Sequence, residues 1–394
     1  MVLNSLCILT PSLRINTLII TLNVKTLGII LRLTKDKTMK KTETLVQMAQ
    51  RLSAQNKKDF RATTNKLEAT TDLTVNLKGI GEYELTRNAH TQIAQRLQIP
   101  QKYYDRMTQD SPELWATNVN HWFNESPENR LIRTIANGEG DSQRIRAFLS
   151  DRYRVLDNEE LLENILPVLS ERNDISIESC HVDDNKLFLK AFFTDLETEV
   201  KGDAKVGDLI RAGVSISNSE VGTGSLTVAP MTYRLWCTNG AYSNTSMRKY
   251  HVEGRKNAIA DNIEQMLTDE TKKAKDNAFW LQTRDLVKSC MTMDFLNAEV
   301  EKYSEATTKK IEGEIVEVVK ATTKHFGLNE DQNSSILDQI IRSGDLTQYG
   351  LFNAVTRTAE DQTDYYDSDN LERVGGQIIS LSNTEWRKLS TAVA

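Results

Sequence analysis

Apolar residues recur every three or four positions at Leu45, Met48 and Leu52, which predicts a helix soon after Met39. Leu73–Leu85 then alternates about Gly79 and Gly81, the pattern of two short strands around a turn. Helical spacing returns at Ala89, Ile93 and Leu97, and Pro100 opens a further helix carrying Tyr103, Tyr104 and Met107. Leu114, Val119, Trp122 and Phe123 extend that helical stretch. A strand is predicted over Arg144–Leu149, followed by a helix that Asp157 caps ahead of two acidic first-turn residues. A hairpin follows with its turn at Asp183–Asn185, and its second arm, Lys186–Phe193, is apolar enough to be buried on both faces. Two more strands lead to a turn at Thr238–Gly240, and from about Asn257 the pattern is helical to about Phe326. The tail carries further helices around Ile336 and Leu351, an acidic, aromatic stretch Asp361–Asn370, and a last segment ending at Trp386.

Strands grouped ahead of helices, rather than alternating with them, predict an α+β fold. The expected architecture is a central, mainly antiparallel sheet over residues ~144–237, with flanking helices and a long helix after the last strand. The expected organisation is 1–38 an extension, 39–143 a helical segment with a small hairpin, 144–330 the α+β core, and 331–394 a helical segment packed on it.

The first 38 residues are rich in Leu, Ile and Thr and hold one acidic residue, Asp36. One apolar stretch free of charge, Ile15–Val24, is ten residues long and contains Asn16 and Asn23, and the other long one, Met1–Leu13, is only thirteen. A spanning helix needs about 20 apolar residues, so no membrane span is expected. Met39, followed by Lys40 and Lys41, is the expected start of translation; an interfacial anchor is the alternative.

Composition narrows the chemistry. The chain has 394 residues and a net charge of -6, so nucleic-acid binding would need a local basic face. Cys7, Cys180, Cys237 and Cys290 are far apart, the five histidines are scattered, and no zinc or P-loop motif occurs. No metal, cofactor or catalytic residue is therefore assigned. Gly222 and Gly224 read as a flexible strand connection, because no helix begins directly after them as a phosphate loop requires. Cys237, with His251 fourteen residues on, is conceivable as a nucleophile, yet a strand-end cysteine is ordinarily a small packing group. Asp361–Asn370 lacks the ordered ligand spacing of a calcium loop and reads as a solvated acidic loop.

Cations carry more information. Arg211, Arg234, Arg248, Lys249, Arg255 and Lys256 fall within residues 211–256, interleaved with Tyr233, Trp236, Tyr242 and Tyr250. Arg144, Arg146, Arg152 and Arg154 form a second group. Guanidinium forks suit phosphates, and aromatic faces suit unstacked bases. The expected nucleic-acid residues are Arg146, Arg152, Arg211, Arg234, Arg248, Lys249 and Arg255 for phosphates, with Tyr233, Trp236 and Tyr250 for stacking. A solvated strand face of Arg and Tyr is the plainer account of the same residues.

The segments "QRIRAFLSDRYRVLDNEELLENILPVL", "GVSISNSEVGTGSLTVAP", "YRLWCTNGA" and "LTQYGLFNAVTRTAE" resemble the phage- and plasmid-borne family called domain of unknown function 932. The resemblance spans about residues 85 to 380. It implies a mobile-element protein acting in the cytoplasm of a bacterial host, and brings no residue roles. The order of a hairpin, further strands and then a long helix also resembles the core of single-strand annealing recombinases, which form rings or filaments. The expected function is single-stranded DNA binding that assists annealing or replication, as a homo-oligomer. The alternative is an interaction protein that modulates a host defence or replication factor through its acidic surface.

Overall fold

The hydrophobic alternation over Leu73–Leu85 folds as expected, into strands β3 (Thr74–Leu77) and β4 (Gly81–Leu85), and a further strand not expected from the sequence, β2 (Leu67–Ala69), precedes them. The protein is described by a computed structural model covering residues 45–136, 142–201, 208–235, 239–243, 247–249 and 268–392. The extension 1–38, Trp236, Cys237, Tyr250, His251, Arg255 and Lys256 lie outside the described residues.

The first sheet is six-stranded, in the order β1-β5-β6-β4-β3-β2, with β1 (Phe60–Thr63), β5 (Asn129–Ile135) and β6 (Arg144–Ser150). All its pairings are antiparallel except β4 with β6, where Glu84 faces Arg144 and Leu85 faces Ile145. Helices α2 (Arg87–Arg96), α3 (Gln101–Asp110) and α4 (Pro112–Glu125) follow β4. They bury Ile93, Tyr104, Trp115 and Phe123 against Ile132, Ile145 and Phe148 of the sheet.

The second sheet runs β11-β10-β9-β8-β7, with β7 (Ile175–Val182), β8 (Leu187–Glu199), β9 (Leu209–Asn218), β10 (Leu226–Arg234) and β11 (Asn239–Tyr242). β12 (Met247–Lys249) also pairs with β10. All these pairs are antiparallel. β11 covers Met231–Arg234 and β12 covers Leu226–Val228, so the two form successive parts of one edge. Pro230 lies just past the last β11 pair, Met231 with Tyr242, and its carbonyl still accepts from the Ser243 N–H at 2.9 Å.

Around this sheet pack α1 (Leu45–Ala54), α5 (Asn158–Leu169), α6 (Asp269–Cys290), α7 (Met293–Thr308), α8 (Ile315–Phe326), α9 (Glu330–Ser343), α10 (Gln348–Glu360), α11 (Tyr365–Ile379) and α12 (Asn383–Ser390). Residues Leu187–Phe193 of β8 are all buried, as their composition predicts. Gly376 of α11 lies so close to β11 that a Cβ there would stand 1.8 Å from the Tyr242 carbonyl oxygen. None of the described helices is long and apolar enough to cross a membrane.

The α+β class stands, and four expectations change. The strand at 144–150 belongs to the first sheet, not the central one: a short connection lets it turn back antiparallel on β5. Alternation predicts a strand but not the sheet that it joins. The long helix is divided into α6, α7 and α8, with Thr292 capping α7 by accepting from the Phe295 N–H. Asn239 and Gly240 are strand residues opposite Arg234 and Tyr233 rather than turn residues. Finally, most of the acidic stretch is helix: Asp364 caps α11 through the Tyr366 N–H at 2.8 Å, and Asp369 is buried.

Candidate functional site

Strand register divides the expected nucleic-acid residues between two ends of the second sheet. At one end Arg211 faces Tyr233 on β10 and Glu197 on β8. Its Nε and Nη2 donate to one Glu197 oxygen at 3.1 and 3.0 Å. Arg234, next along, is buried and grips Asp208 with two parallel bonds of 2.5 and 2.6 Å, and Asp208 also accepts from Tyr349 Oη at 2.7 Å. The Tyr233 ring packs on Phe192 with centroids 4.4 Å apart. Arg248 and Lys249 face Thr227 and Leu226, the opposite end of β10. Arg248 is thus seven positions along the strand from Arg234, or about 23 Å at ~3.3 Å per residue. One groove does not take in Arg211, Arg234 and Arg248 together.

Arg146 and Arg152 lie with the β12 end. They flank a polar joint between the sheets, built on the loop that leaves β9 at Ser219-Glu220-Val221-Gly222. Gly222 has φ +80° and a would-be Cβ 2.7 Å from Leu149 Cδ2, so this tight connection needs glycine. It is a strand connection, as read from the sequence. Tyr153 Oη donates to the Ser219 carbonyl at 3.0 Å, and Gln92 Nε2 donates to the Val221 carbonyl at 2.7 Å. The loop is thereby tied to the first sheet and its helices.

Glu220 is the centre of the joint. Its side chain is 3% exposed and accepts from Lys57 Nζ at 2.8 Å, Arg146 Nη1 at 2.5 Å and the Asn158 N–H at 2.7 Å. That last bond places a carboxylate at the N-terminus of α5, where the helix dipole favours it. Arg133, fully buried, donates to the Glu220 carbonyl at 2.9 Å, to Asp157 at 2.6 Å and to Asp59 at 2.7 Å. Burial opposes the Glu220 charge, but Lys57, Arg146 and Arg133 outweigh it and hold the carboxyl well below the usual range.

A β-bulge aims Arg146 at this centre. Ala147 faces Arg133 and Ile145 faces Thr134, which leaves Arg146 as the extra residue of β6. Its carbonyl accepts from Asn88 Nδ2 at 3.0 Å and Thr86 Oγ1 at 3.3 Å, so side chains of α2 and its cap hold the bulge. Unbroken alternation would set Arg146 on the face of Phe148, against the aromatic helices. The bulge turns it toward the second sheet.

Beside the joint, the β7–β8 turn presents Asp183 and Lys186. Asp183 accepts from the N–H groups of Asn185 and Lys186 at 2.7 and 2.8 Å and from Tyr366 Oη at 3.0 Å. Burial raises its pKa, but these bonds and His181 override it and bring it down to about 2. Lys186 Nζ lies 5.0 Å from the Tyr366 ring centroid, and the Tyr365 ring stacks on His181 with centroids 5.2 Å apart. Sequence reasoning missed Lys57, Lys186 and Glu220. The signal was present: Ser217–Glu220 is a polar run directly after an apolar strand and ahead of glycines.

A second buried ionic centre joins the sheet to α11. Lys190, inside the apolar run of β8, contacts Glu372, and Tyr242 Oη contacts Asp369 and bonds Ser215 Oγ at 2.6 Å. Arg373 bonds Asp369 at 2.9 Å and lies over the Tyr242 ring at 4.1 Å.

Neither centre suggests a metal or a thiol nucleophile. No His, Cys, Asp and Glu cluster suited to a metal occurs among the described residues. Cys180 and Cys290 are buried, and burial pushes the Cys290 thiol up to about 12.

No curated protein and no solved structure matches this chain. A family model described as "Domain of unknown function (DUF932)" matches residues 147–374, a span from β6 through α11 that includes Glu220 and both Lys186 and Lys190. With more than half of its 394 residues matched, the chain belongs to the DUF932 family.

Proposed function

We propose that this is a DNA-metabolism protein of a phage or plasmid, acting in the bacterial cytoplasm, which binds single-stranded DNA and assists annealing or replication. The binding face is the end of the second sheet that carries the β7–β8 turn, the Ser219–Ser225 loop and β12. The observation that carries this reading is the pairing of β12, which sets Arg248 and Lys249 against Leu226 and Thr227, directly after that loop. Lys186 reaches the same loop, since a Cβ on Gly224 would stand 2.8 Å from its Cε. Arg152 precedes Tyr153, which is bonded to Ser219. Phosphates would meet Arg152, Lys186, Arg248 and Lys249, with Tyr366 the aromatic beside them. Arg211 and Arg234, held by Glu197 and Asp208, serve the other end of the sheet.

Titrating a fluorescent oligonucleotide over a range of salt concentrations tests this. Each cation that neutralises a phosphate on a single strand contributes about -0.7 to the slope of log K against log salt, so four contacts give roughly -3. Replacing Arg248 and Lys249 by Ala should make that slope shallower by about 1.4, and Arg211→Ala should leave it unchanged. Absence of binding at low salt would falsify the proposal.

A further inference from the structure

A cavity of about 20 Å³ opens at the joint, lined among others by Gln55, Arg146, Asn158, Lys186 and Glu220. A single water needs roughly 10–15 Å³, so this space suits a compact group rather than a base or a sugar. Arg146 is 5% exposed. Only its Nη1 is bonded, to Glu220; its Nε and Nη2 are buried with no hydrogen-bond partner among the described residues. Nε and Nη2 together form the edge of a guanidinium that grips an oxyanion through two parallel bonds. An orphaned donor buried in this way is unfavourable unless something accepts from it. Gln55 Oε1 is likewise buried and without a partner, and its amide turned over would present donors instead.

The surrounding charges leave that edge for an anion. Glu220 is already met by Lys57 and Arg146, with Arg133 on its carbonyl. The Asp183 carboxylate at the mouth is occupied by two backbone N–H groups and Tyr366. Lys186, also at the mouth, has its charge disfavoured by burial, which a second anion nearby would relieve. Asp184 is the remaining acidic residue at the lining.

We propose that this cavity binds a phosphomonoester, with the Nε/Nη2 edge of Arg146 as its anchor and Lys186 at its mouth. Two sources share that chemistry, free phosphate and the terminal phosphate of a nucleic-acid strand. The second rests on the single-strand binding proposed above, and would seat a strand end where the basic face begins.

The test uses the full chain and three probes: inorganic phosphate, and one oligonucleotide carrying either a 5′-phosphate or a 5′-hydroxyl. Phosphate should raise the unfolding midpoint in a saturable way, beyond sodium chloride of equal ionic strength. Arg146→Lys keeps a cation for Glu220 but removes the fork, and should weaken phosphate binding on the order of tenfold. Lys186→Ala changes only the mouth and should weaken it severalfold, which keeps the test decisive if the Arg146 variant does not fold. A 5′-phosphate that improves oligonucleotide binding in the parent protein but not in the variants assigns the site to strand ends. Arg146-dependent phosphate binding with no such preference assigns it to free phosphate. The same result with no oligonucleotide binding at all upholds the cavity and removes the single-strand reading. No saturable effect of phosphate, or an effect that both variants retain, overturns the proposal and leaves ordered water as the occupant.

Discussion

The Glu220 joint and the Lys190 centre are both buried and both hold charges of each sign, yet they differ in what they leave undone. Around Lys190, Tyr242, Asp369, Glu372 and Arg373 no buried side-chain nitrogen or oxygen lacks a partner among the described residues. At the joint, two Arg146 nitrogens and the oxygens of Gln55 and Asn218 do. A closed network is what a structural clamp between a sheet and a helix requires. An unfinished one beside a cavity has donors in reserve for a ligand. The contrast teaches that burial of charge alone does not mark a site; unspent hydrogen-bonding capacity facing a space does.

Breaking each centre should separate them most strongly. Glu220→Ala leaves Lys57 and Arg146 without their carboxylate and uncaps the Asn158 N–H, so we expect a loss of about 3–5 kcal/mol in urea unfolding. A comparable loss is expected of Glu372→Ala alone. The paired replacements should then diverge. Lys190→Met with Glu372→Leu should recover most of the stability, because a buried ion pair is often replaceable by apolar groups of similar volume. Arg146→Met with Glu220→Leu should not, because Lys57 and the helix N-terminus would still be orphaned. Equal recovery in both pairs would show that the joint is merely another clamp.

Gly222→Ala comes next in size. Its positive φ and the close Leu149 methyl together should destabilise by about 1–3 kcal/mol, and the damage should fall on phosphate binding as well, since the loop carries Glu220. Loss of stability with phosphate binding intact would detach the loop from the cavity.

The Glu220 and Glu372 carboxyls should also respond to pH with opposite signs; burial would raise Asp369, but Arg373 and Lys190 lower it, so it follows Glu220. The Glu220 carboxyl is depressed in the folded protein, so its contribution is present above its ordinary value of 4.5 and is lost as pH falls. Asp183, at about 2 against an ordinary 3.8, adds to the same acid limb between about pH 4 and 2. Burial raises the Glu372 carboxyl instead, so its contribution is present below 4.5 and declines as pH rises above it. Unfolding midpoints measured from pH 3 to 8 should show a flatter acid limb in Glu220→Gln and a flatter neutral limb in Glu372→Gln. Smallest of all, Arg211→Ala should change stability by under about 1 kcal/mol, because its pair with Glu197 is partly exposed.

Much of this architecture is legible in the residues. Turn chemistry at Asp183–Asn185 and Gly79–Gly81 and the apolar run after Lys186 have local causes, and each element forms there. The helix α5 does begin after Asp157, but the Asp157 side chain makes no cap bond: it accepts from Arg133, and Glu220 takes the Asn158 N–H instead. The site is legible only in part. A place in a cationic cluster marks Arg146 as a phosphate ligand, but nothing in "RIRAFLS" announces the bulge that turns it onto Glu220. Arg234, from the same kind of cluster, belongs to Asp208. Lys190 lies in an apolar strand, and the carboxylate that meets it, Glu372, is 182 residues away. The helix at Tyr365 was hidden because Asp364, Asp367 and Asp369 suggest solvent, while the pairing of Asp369 with Arg373 and Tyr242 exists only after packing.

By itself, the sequence determined most of the helices and the strands β3, β4 and β6–β10 in their order, because periodicity and turns act over a few neighbouring residues; β1, β2, β5 and α11 were not legible there. Only the tertiary structure decided which sheet β6 joins, which cations are committed to carboxylates and that Arg146 keeps an unbonded edge beside a cavity. The physical reason is desolvation. A buried charge is tolerable only beside its counter-charge, and that neighbour is chosen in space among residues far apart along the chain.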